Sequence, residues 1–358
     1  MNDRVPLGGL SRLVIVWLTW VAACAPAAAP GPAAAPAAVT GKPGPESAAP
    51  PAPQQKTDVS LRLAWFARGY DAPYYLALTR GFYDEAGLNV EIREGQGSVR
   101  TLALVDSGQD TLGTLDAAVM LAGADKGIQS QMVFMFNQRS PNALVFFSDA
   151  GINGPQDLRG KSIGTTPGAN VTLLLPLYLD QVGMPRDAVT VTNVDAAGKV
   201  AAFRSRKFDL MTGLTNDQVG ELEAEGEQIK SLVFADSGVN TVSMGTVARN
   251  DFIERNPDLV RRFVAATQRA WDAAVKNPDE AVANLADAFP NYKSAAFKSQ
   301  FMASIPLLHT RNTEGKPTGW MAKDDWEETN NLLLSSGVIS QLARVEDLYT
   351  NQFIPGGQ

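Results

Sequence analysis

The sequence predicts an α/β protein with two lobes, and three observations support this fold class. The chain has 358 residues, a length that suits two domains better than one. After an N-terminal Ala/Pro-rich segment, stretches with the period of a strand alternate with stretches with the period of a helix. An apolar stretch at 144–147 and a predicted strand near 241–247 stand where the chain would cross between lobes. We therefore expect residues 58–146 and 245–358 to form lobe one, and residues 147–244 to form lobe two.

The composition excludes several kinds of functional site. The sequence has 31 basic and 38 acidic residues, so it lacks the basic surface that sequence-independent binding of nucleic acid requires. One cysteine, Cys24, and one histidine, His309, cannot build a Cys/His metal cluster, a disulfide framework or a Cys–His catalytic pair. Catalysis by Asp, Glu, Ser or Lys stays open on composition alone. We predict neither a metal ion nor a cofactor.

The N-terminal segment is typical of an exported lipoprotein. Two arginines precede a short apolar stretch at 13–22, which is too short to span a membrane as a stable helix. The stretch leads into Val-Ala-Ala-Cys, which resembles a bacterial lipobox with Cys24 as the acylated residue. We therefore predict a signal peptide at 1–23, lipidation of Cys24, and an extended Ala/Pro-rich tether at 24–57. An ordinary secretory signal and an uncleaved anchor are the alternatives.

The stretch after the tether has the order strand, aromatic loop, helix, strand. Val59, Leu61 and Leu63 alternate with polar residues, which is the period of a strand. Asp71 is a candidate N-cap for the helix, and the Gly-Leu pair at 87–88 predicts its end. In open α/β sheets ligands bind beyond the carboxyl ends of the strands, so the aromatic loop is a candidate ligand clamp.

Aromatic residues are concentrated in this loop and at the start of the helix. We predict that Trp65, Tyr70 and Tyr74 contact a ligand, because several aromatic faces beside one strand end favour a planar molecule. The alternative for each of them is an ordinary position in the hydrophobic core.

Further candidates in lobe one follow the ends of predicted strands. Gln96 and Ser98 stand at the start of a predicted helix, where free N–H groups suit an anion, although Ser98 could instead cap that helix. Asp116 follows a strand and opens a helix, so it is either a ligand-binding carboxylate or a helix cap. Gln138 lies near the first crossover and is expected to face the cleft.

In lobe two, the loop at 165–170 is the better candidate for recognising a polar or anionic group. It combines hydroxyl groups, a glycine and the start of an amphipathic helix. Asn216, which follows a later strand, is a weaker candidate. The rest of the chain is predicted to be mostly helical and to pack on lobe one, with helices at 257–276, 278–288, 293–305 and 323–335.

Motifs in both predicted lobes match one family pattern. Tyr-Tyr-Leu-Ala at 74–77, Arg-Gly-Phe-Tyr at 80–83 and Glu-Ala-Gly-Leu-Asn-Val at 85–90 form the opening motif, and Gly-Pro-Gln-Asp-Leu-Arg-Gly-Lys at 154–161 the second. The chain thereby resembles the ABC-transporter substrate-binding proteins of the nitrate/sulfonate/taurine and thiamine-pyrimidine-precursor group. This resemblance implies the type II periplasmic-binding-protein fold. It also implies that four residues of the lobe-two loop contact the ligand: Thr166, Gly168, Ala169 and Asn170.

Together with the lipobox-like segment, the resemblance implies an extracytoplasmic, lipid-anchored monomer that serves an ABC importer in the periplasm or at the cell surface. Its lobes would close around a small organic ligand and deliver it to permease and ATPase subunits. The expected ligand is either a sulfonate or taurine-like oxyanion, or a pyrimidine-like aromatic precursor of thiamine. A tethered sensing module is one alternative.

An enzyme that makes the thiamine pyrimidine is the other alternative, because the family includes such proteins. That chemistry uses a histidine and a cysteine-rich segment. The folded part of this chain has no cysteine, and its one histidine is His309. We therefore expect no catalytic residues.

Overall fold

A computed structural model describes residues 56–357. The predicted signal peptide, the lipidation of Cys24 and nearly all of the predicted tether lie outside these residues. Within the described part, no helix is both long enough and apolar enough to cross a bilayer.

The described residues form ten strands in two sheets. The strands are β1 (Thr57–Arg62), β2 (Leu88–Arg93), β3 (Leu112–Asp116), β4 (Ser130–Met135), β5 (Asn142–Phe147), β6 (Ser162–Thr165), β7 (Thr190–Asn193), β8 (Leu210–Leu214), β9 (Ile229–Val233) and β10 (Met244–Arg249).

Twelve α-helices connect and cover these strands within the same residues. The helices are α1 (Ala72–Thr79), α2 (Phe82–Glu85), α3 (Ser98–Asp106), α4 (Ala117–Ala124), α5 (Asn170–Gln181), α6 (Lys199–Arg204), α7 (Gly220–Ala224), α8 (Asn250–Arg255), α9 (Pro257–Lys276), α10 (Pro278–Ala288), α11 (Ser294–Ser304) and α12 (Lys323–Ser335).

The two sheets share one topology. The first has the order β2-β1-β3-β10-β4 and the second the order β7-β6-β8-β5-β9. In each sheet three neighbouring strands are parallel, and the fourth is antiparallel to both of its neighbours. That fourth strand, β10 or β5, is the one that arrives from the other lobe. This arrangement confirms the predicted fold class of two α/β lobes joined by two crossovers.

The pairing of β5 corrects the predicted lobe boundary. The sequence pattern predicts that the chain up to residue 146 belongs to lobe one, but β5 pairs with β8 and β9 in the second sheet. The first crossover therefore falls at 136–141. A continuous apolar stretch fits a buried central strand as well as it fits a connection, since every residue of β5 is buried.

The C-terminal helices pack on lobe one, as predicted, and one of them also contacts lobe two. α9 starts with Pro257 at its first position, buries one face, and packs against α1 and α2. α11 packs against α10 on lobe one and against α7 on lobe two. The lobes are thus in contact along this helix as well as at the crossovers.

Candidate functional site

A small cavity lies between the two lobes, at the carboxyl ends of parallel strands in both sheets. Its volume is about 30 Å³, which is room for about one or two water molecules. Both lobes contribute side chains to its wall. The lining residues are Ala64, Trp65, Tyr70, Gly97, Ser98 and Met244 from lobe one, and Ala169, Asn170, Val171, Lys199, Leu214, Asp217 and Gln218 from lobe two.

Five of the predicted ligand contacts line this cavity. Trp65 and Tyr70 come from the loop after β1, and Ser98 from the start of α3. Ala169 and Asn170 come from the lobe-two loop and the first turn of α5. The strand-end reasoning therefore brought together residues from both sides of the cleft. Ser98 is the first residue of α3 and not its cap, and its Oγ accepts a hydrogen bond from the Asp116 backbone N–H at 3.3 Å.

Three more predicted contacts, Gln96, Thr166 and Gly168, line a separate open groove of about 640 Å³. The Val99 backbone N–H donates to Gly168 O across the lobes, at 3.2 Å. Gly97 lines the cavity and faces Gly168 so closely that a Cβ on Gly97 would come 2.9 Å from Gly168 O. This backbone contact therefore separates the inner cavity from the groove.

The other predicted contacts lie away from the cavity and make structural contacts instead. Tyr74 is fully buried and packs edge-on against Phe136, and its hydroxyl lies 2.9 Å from Thr246 Oγ1. Gln138 Nε2 donates to two backbone carbonyls of lobe one, at 2.8 and 2.9 Å. Asn216 Nδ2 donates to Ser304 Oγ of α11, at 2.9 Å. These side chains point into the packed interior of the protein. The sequence pattern does not determine the helix face or the loop geometry that sets this direction.

Asp116 is a helix cap that also ties the lobes together. Its carboxylate accepts from the Ala118 N–H at 2.9 Å, from Ser243 Oγ at 2.8 Å, and from Asn170 Nδ2 of lobe two at 3.0 Å. Burial raises the pKa of Asp116 to about 6, against the opposing effect of these hydrogen bonds. The same Asn170 amide group donates to Asn142 Oδ1 at 2.8 Å. Asp116 thereby holds Asn170 in place at the cavity wall.

An ion pair crosses the lobes at one end of the cavity. Arg68 Nε lies 2.6 Å from Asp217 Oδ1, and Arg68 Nη2 lies 3.8 Å from Glu221 Oε2. The Nε–Oδ1 contact is close, but its angle is not that of a hydrogen bond. Burial opposes the charge of Arg68, and the two carboxylates more than offset it, so that the arginine pKa is raised. Gln300 Nε2 of α11 donates to the same Asp217 oxygen at 3.1 Å.

Two further buried titratable groups belong to this region. Lys199 lines the cavity, and burial lowers its pKa to about 8. Asp71 lies beside Arg68, and burial raises its pKa to about 8 although its carboxylate accepts a hydrogen bond from the Arg68 N–H. The sequence interpretation missed Lys199 and Asp217 as cavity residues. Asp217 had a usable signal, since it directly follows Asn216 at a predicted strand end, whereas Lys199 had none.

The arrangement suits binding of a small organic molecule. Between residues 56 and 357, no group of three or more His, Cys, Asp or Glu side chains is placed to hold a metal ion. The cavity wall instead offers an indole, a phenol, an amide, an ammonium and a carboxylate from two lobes.

Comparisons with known proteins agree with this geometry. Residues 69–281, more than half of the chain, match the family described as NMT1/THI5 like. The riboflavin-binding protein RibY of Chloroflexus aurantiacus is 29% identical over 358 residues, covering 97% of both chains. The 4-amino-5-hydroxymethyl-2-methylpyrimidine phosphate synthase of Legionella pneumophila is 23% identical, covering 84% of this chain and 93% of its own.

Among solved structures, the alkanesulfonate-binding protein SsuA from Xanthomonas axonopodis pv. citri, bound to MOPS, has the same fold. Its TM-score is 0.66 at 13% identity, covering 83% of this chain and 99% of that chain. The resemblance drawn from the sequence motifs is thereby confirmed, and so is the type II periplasmic-binding-protein fold. The family match and the two-lobed fold lead to one conclusion: the chain belongs to the NMT1/THI5-like family.

Proposed function

We propose that the protein is the extracytoplasmic solute-binding component of an ABC importer and that it binds a neutral, planar heterocycle. The observation that carries this proposal is the cavity between the lobes, where Trp65 and Tyr70 face polar groups of the opposite lobe. A ligand that contacts both lobes stabilises the closed arrangement by its differential affinity for it. The closed form is what a permease would recognise.

The lobes have to separate before such a ligand enters. Ligand pockets for drug-sized molecules measure about 300–1,000 Å³, whereas this cavity measures about 30 Å³. Hydrogen bonds join the lobes on either side of it, from Asn170 to Asp116 and from Val99 to Gly168. Binding would therefore begin with an open form, and the lobes would then close on the ligand around a larger cavity than the present one.

The charges around the cavity favour a neutral ligand over a sulfonate. Arg68 and Lys199 carry two positive charges, and Asp217 and Glu221 carry two negative charges in the same region. A buried oxyanion needs a surplus of positive charge, because an unpaired buried charge is costly. A planar ring needs stacking faces and a few hydrogen bonds, which Trp65 and the polar wall supply. The relative RibY, which is named as riboflavin-binding, makes a flavin the first ligand to test.

The position of His309 argues against the synthase alternative. Its Nδ1 lies 3.1 Å from the Thr313 carbonyl oxygen, within a loop of lobe one. It does not belong to the residues that line the cavity. Since His309 is the one histidine of the sequence, a reaction at the cavity would have to proceed without an imidazole from this chain.

We also propose that the mature protein is a monomer anchored by lipid at Cys24 and works with permease and ATPase subunits. This proposal rests on the lipobox-like sequence and on the family's binding proteins. Metabolic labelling with a radioactive fatty acid tests it. Wild type should incorporate label and fractionate with membranes, and Cys24→Ser should do neither. Labelling of the serine variant would contradict the anchor.

Isothermal titration of the soluble chain from residue 25 tests the ligand class. Riboflavin, 4-amino-5-hydroxymethyl-2-methylpyrimidine, taurine and MOPS are compared. We expect one of the two ring compounds to bind more tightly than both sulfonates, and Trp65→Ala and Asn170→Ala to weaken that binding at least about tenfold. Tyr74→Phe, away from the cavity, is the matched control. Tighter binding of taurine or MOPS would contradict the proposal, and so would chemical conversion of the bound ring compound.

A further inference from the structure

Lys199 is a buried cation at the cavity that the fold does not pair with a carboxylate. It is the first residue of α6 in lobe two, and only 3% of its surface is exposed. Within residues 56–357, no Asp or Glu oxygen lies within salt-bridge distance of its Nζ. Arg68, the other cation of this region, is by contrast paired with Asp217. A buried ammonium without a partner is unusual, because desolvation of a charge is costly.

The hydrogen-bonding capacity of this ammonium is also incompletely used. An ammonium group carries three N–H donors, and Lys199 Nζ donates to the Thr212 carbonyl oxygen at 2.8 Å. On another side, Nζ stands 5.5 Å from the centre of the Trp65 ring, which belongs to lobe one. Both side chains line the cavity. A ring that separates the lobes and stacks on Trp65 would therefore place its edge beside the remaining donors of Lys199.

We propose that Lys199 is a specificity-determining residue that donates a hydrogen bond to a carbonyl oxygen or ring nitrogen at the edge of a planar ligand stacked on Trp65. The proposal rests on the proposed function and narrows its ligand class to rings with an acceptor edge. A ring carbonyl fits better than a full negative charge, since Asp217 and Glu221 already balance the positive charge of this region. A site that is built to donate to such a group rejects the analogue that lacks it.

Binding measurements with two tricyclic test ligands distinguish this role from simple packing. Riboflavin has carbonyl oxygens and ring nitrogens on its ring edge, and anthracene is a planar tricycle without any hydrogen-bond acceptor. A hydrogen bond from a charged donor corresponds to about 10- to 100-fold in affinity. We expect Lys199→Met to weaken riboflavin binding by that factor and not to weaken anthracene binding. Lys207→Met, which removes an exposed lysine of the same lobe, should affect neither ligand.

The pH dependence of riboflavin binding gives a second readout. Burial lowers the Lys199 pKa to about 8, and an acceptor would raise it in the complex, so wild-type affinity should fall between pH 7 and 9. Arg68, Asp217 and Glu221 act on the same ammonium, and Asp71 also has a pKa of about 8. Because all four remain in Lys199→Met, the difference between wild type and this variant isolates the lysine.

Different experimental results would overturn the role of Lys199 and the proposed function. If wild type binds riboflavin and Lys199→Met binds it equally well with the same pH profile, the role of Lys199 is wrong and the proposed function stands. An equal loss of anthracene and riboflavin binding would also overturn it, because that result indicates packing. If wild type binds neither riboflavin nor 4-amino-5-hydroxymethyl-2-methylpyrimidine, the proposed ligand class fails, and the role of Lys199 fails with it.

Discussion

Arg68 and Asp217 form an ion pair across the two lobes, with 2.6 Å between Nε and Oδ1. Their side chains are only 7% and 2% exposed, so each charge depends on the other for compensation. Asp217 also accepts hydrogen bonds from Gln300 and Gln218. The pair therefore links the aromatic loop of lobe one to the turn before α7, and it makes the closed arrangement sensitive to either residue.

Removing one partner of this pair should be more harmful than removing both charges. We expect Arg68→Met to lower the free energy of unfolding by about 3–5 kcal/mol, because it leaves the Asp217 carboxylate buried and uncompensated. The double variant Arg68→Met/Asp217→Asn should recover a large part of that loss. Urea unfolding measures both effects, and Arg80→Met, in an exposed pair with Glu280, is the control with little expected change. Equal or greater destabilisation in the double variant would show that the ion pair does not act as described.

The contact between Gly97 and Gly168 should control how far the lobes close. A Cβ on Gly97 would stand 2.9 Å from Gly168 O, so Gly97→Ala should hold the lobes apart and shift the solution scattering profile towards a larger radius of gyration. Gly127→Ala is the matched control, because Gly127 also has a positive φ of 90° but no atom stands within 4 Å of its added Cβ. Both glycines have a positive φ, so an alanine strains the backbone in both variants, but only Gly97→Ala also clashes with Gly168. The same scattering profile from both would contradict a role in closure.

Asp71 should make the protein less stable as the pH rises. Burial raises its pKa to about 8 in the folded state, against about 3.9 in an unfolded chain. Between these values the folded state binds a proton that the unfolded state lacks, so stability falls as the pH increases towards 8. Asp71→Asn keeps an oxygen for the Arg68 N–H and cannot ionise. At pH 8 its free energy of unfolding should exceed that of wild type by at least about 1.4 kcal/mol, which is the free energy that corresponds to one pKa unit. Unfolding curves at pH 5 and pH 8 measure this, and a parallel pH dependence in both proteins would refute it.

Tyr74 should matter for stability and not for ligand binding. Tyr74→Phe removes the hydroxyl that lies 2.9 Å from Thr246 Oγ1 and leaves that buried oxygen without this partner. We expect a loss of about 1–3 kcal/mol in unfolding free energy. Affinity for a ring ligand should stay within a factor of two. A loss of affinity as large as that caused by Trp65→Ala would show that Tyr74 belongs to the binding site after all.

The sequence predicted those cavity-lining residues whose position follows from strand ends. Trp65 follows β1 and Asn170 opens the helix after β6, so the rule that ligands bind beyond the carboxyl ends of strands was enough to find them. The same rule failed for Tyr74. It lies two residues past the helix start, and its direction is set by packing against Phe136 rather than by its place in the chain.

Other features depend on tertiary contacts that no local pattern carries. Lys199 begins a short helix, and its role at the cavity exists only because Trp65 of the other lobe stands above it. The strand β9 was missed, since it is a half-exposed edge strand with a lysine in it and has no clean alternation. Helix positions such as α9 and α10 were predicted to the residue, because prolines mark their first turns.

The two crossovers lie side by side and are hydrogen-bonded to each other. The Asn137 N–H donates to Met244 O at 2.9 Å, and the Ser243 N–H donates to Asn137 O at 3.1 Å. Neither connection can bend without the other, so the lobes should rotate about a single axis that passes near Asn137. One distance between two fluorescent labels, one on each lobe, should then describe the whole opening motion as a single coordinate.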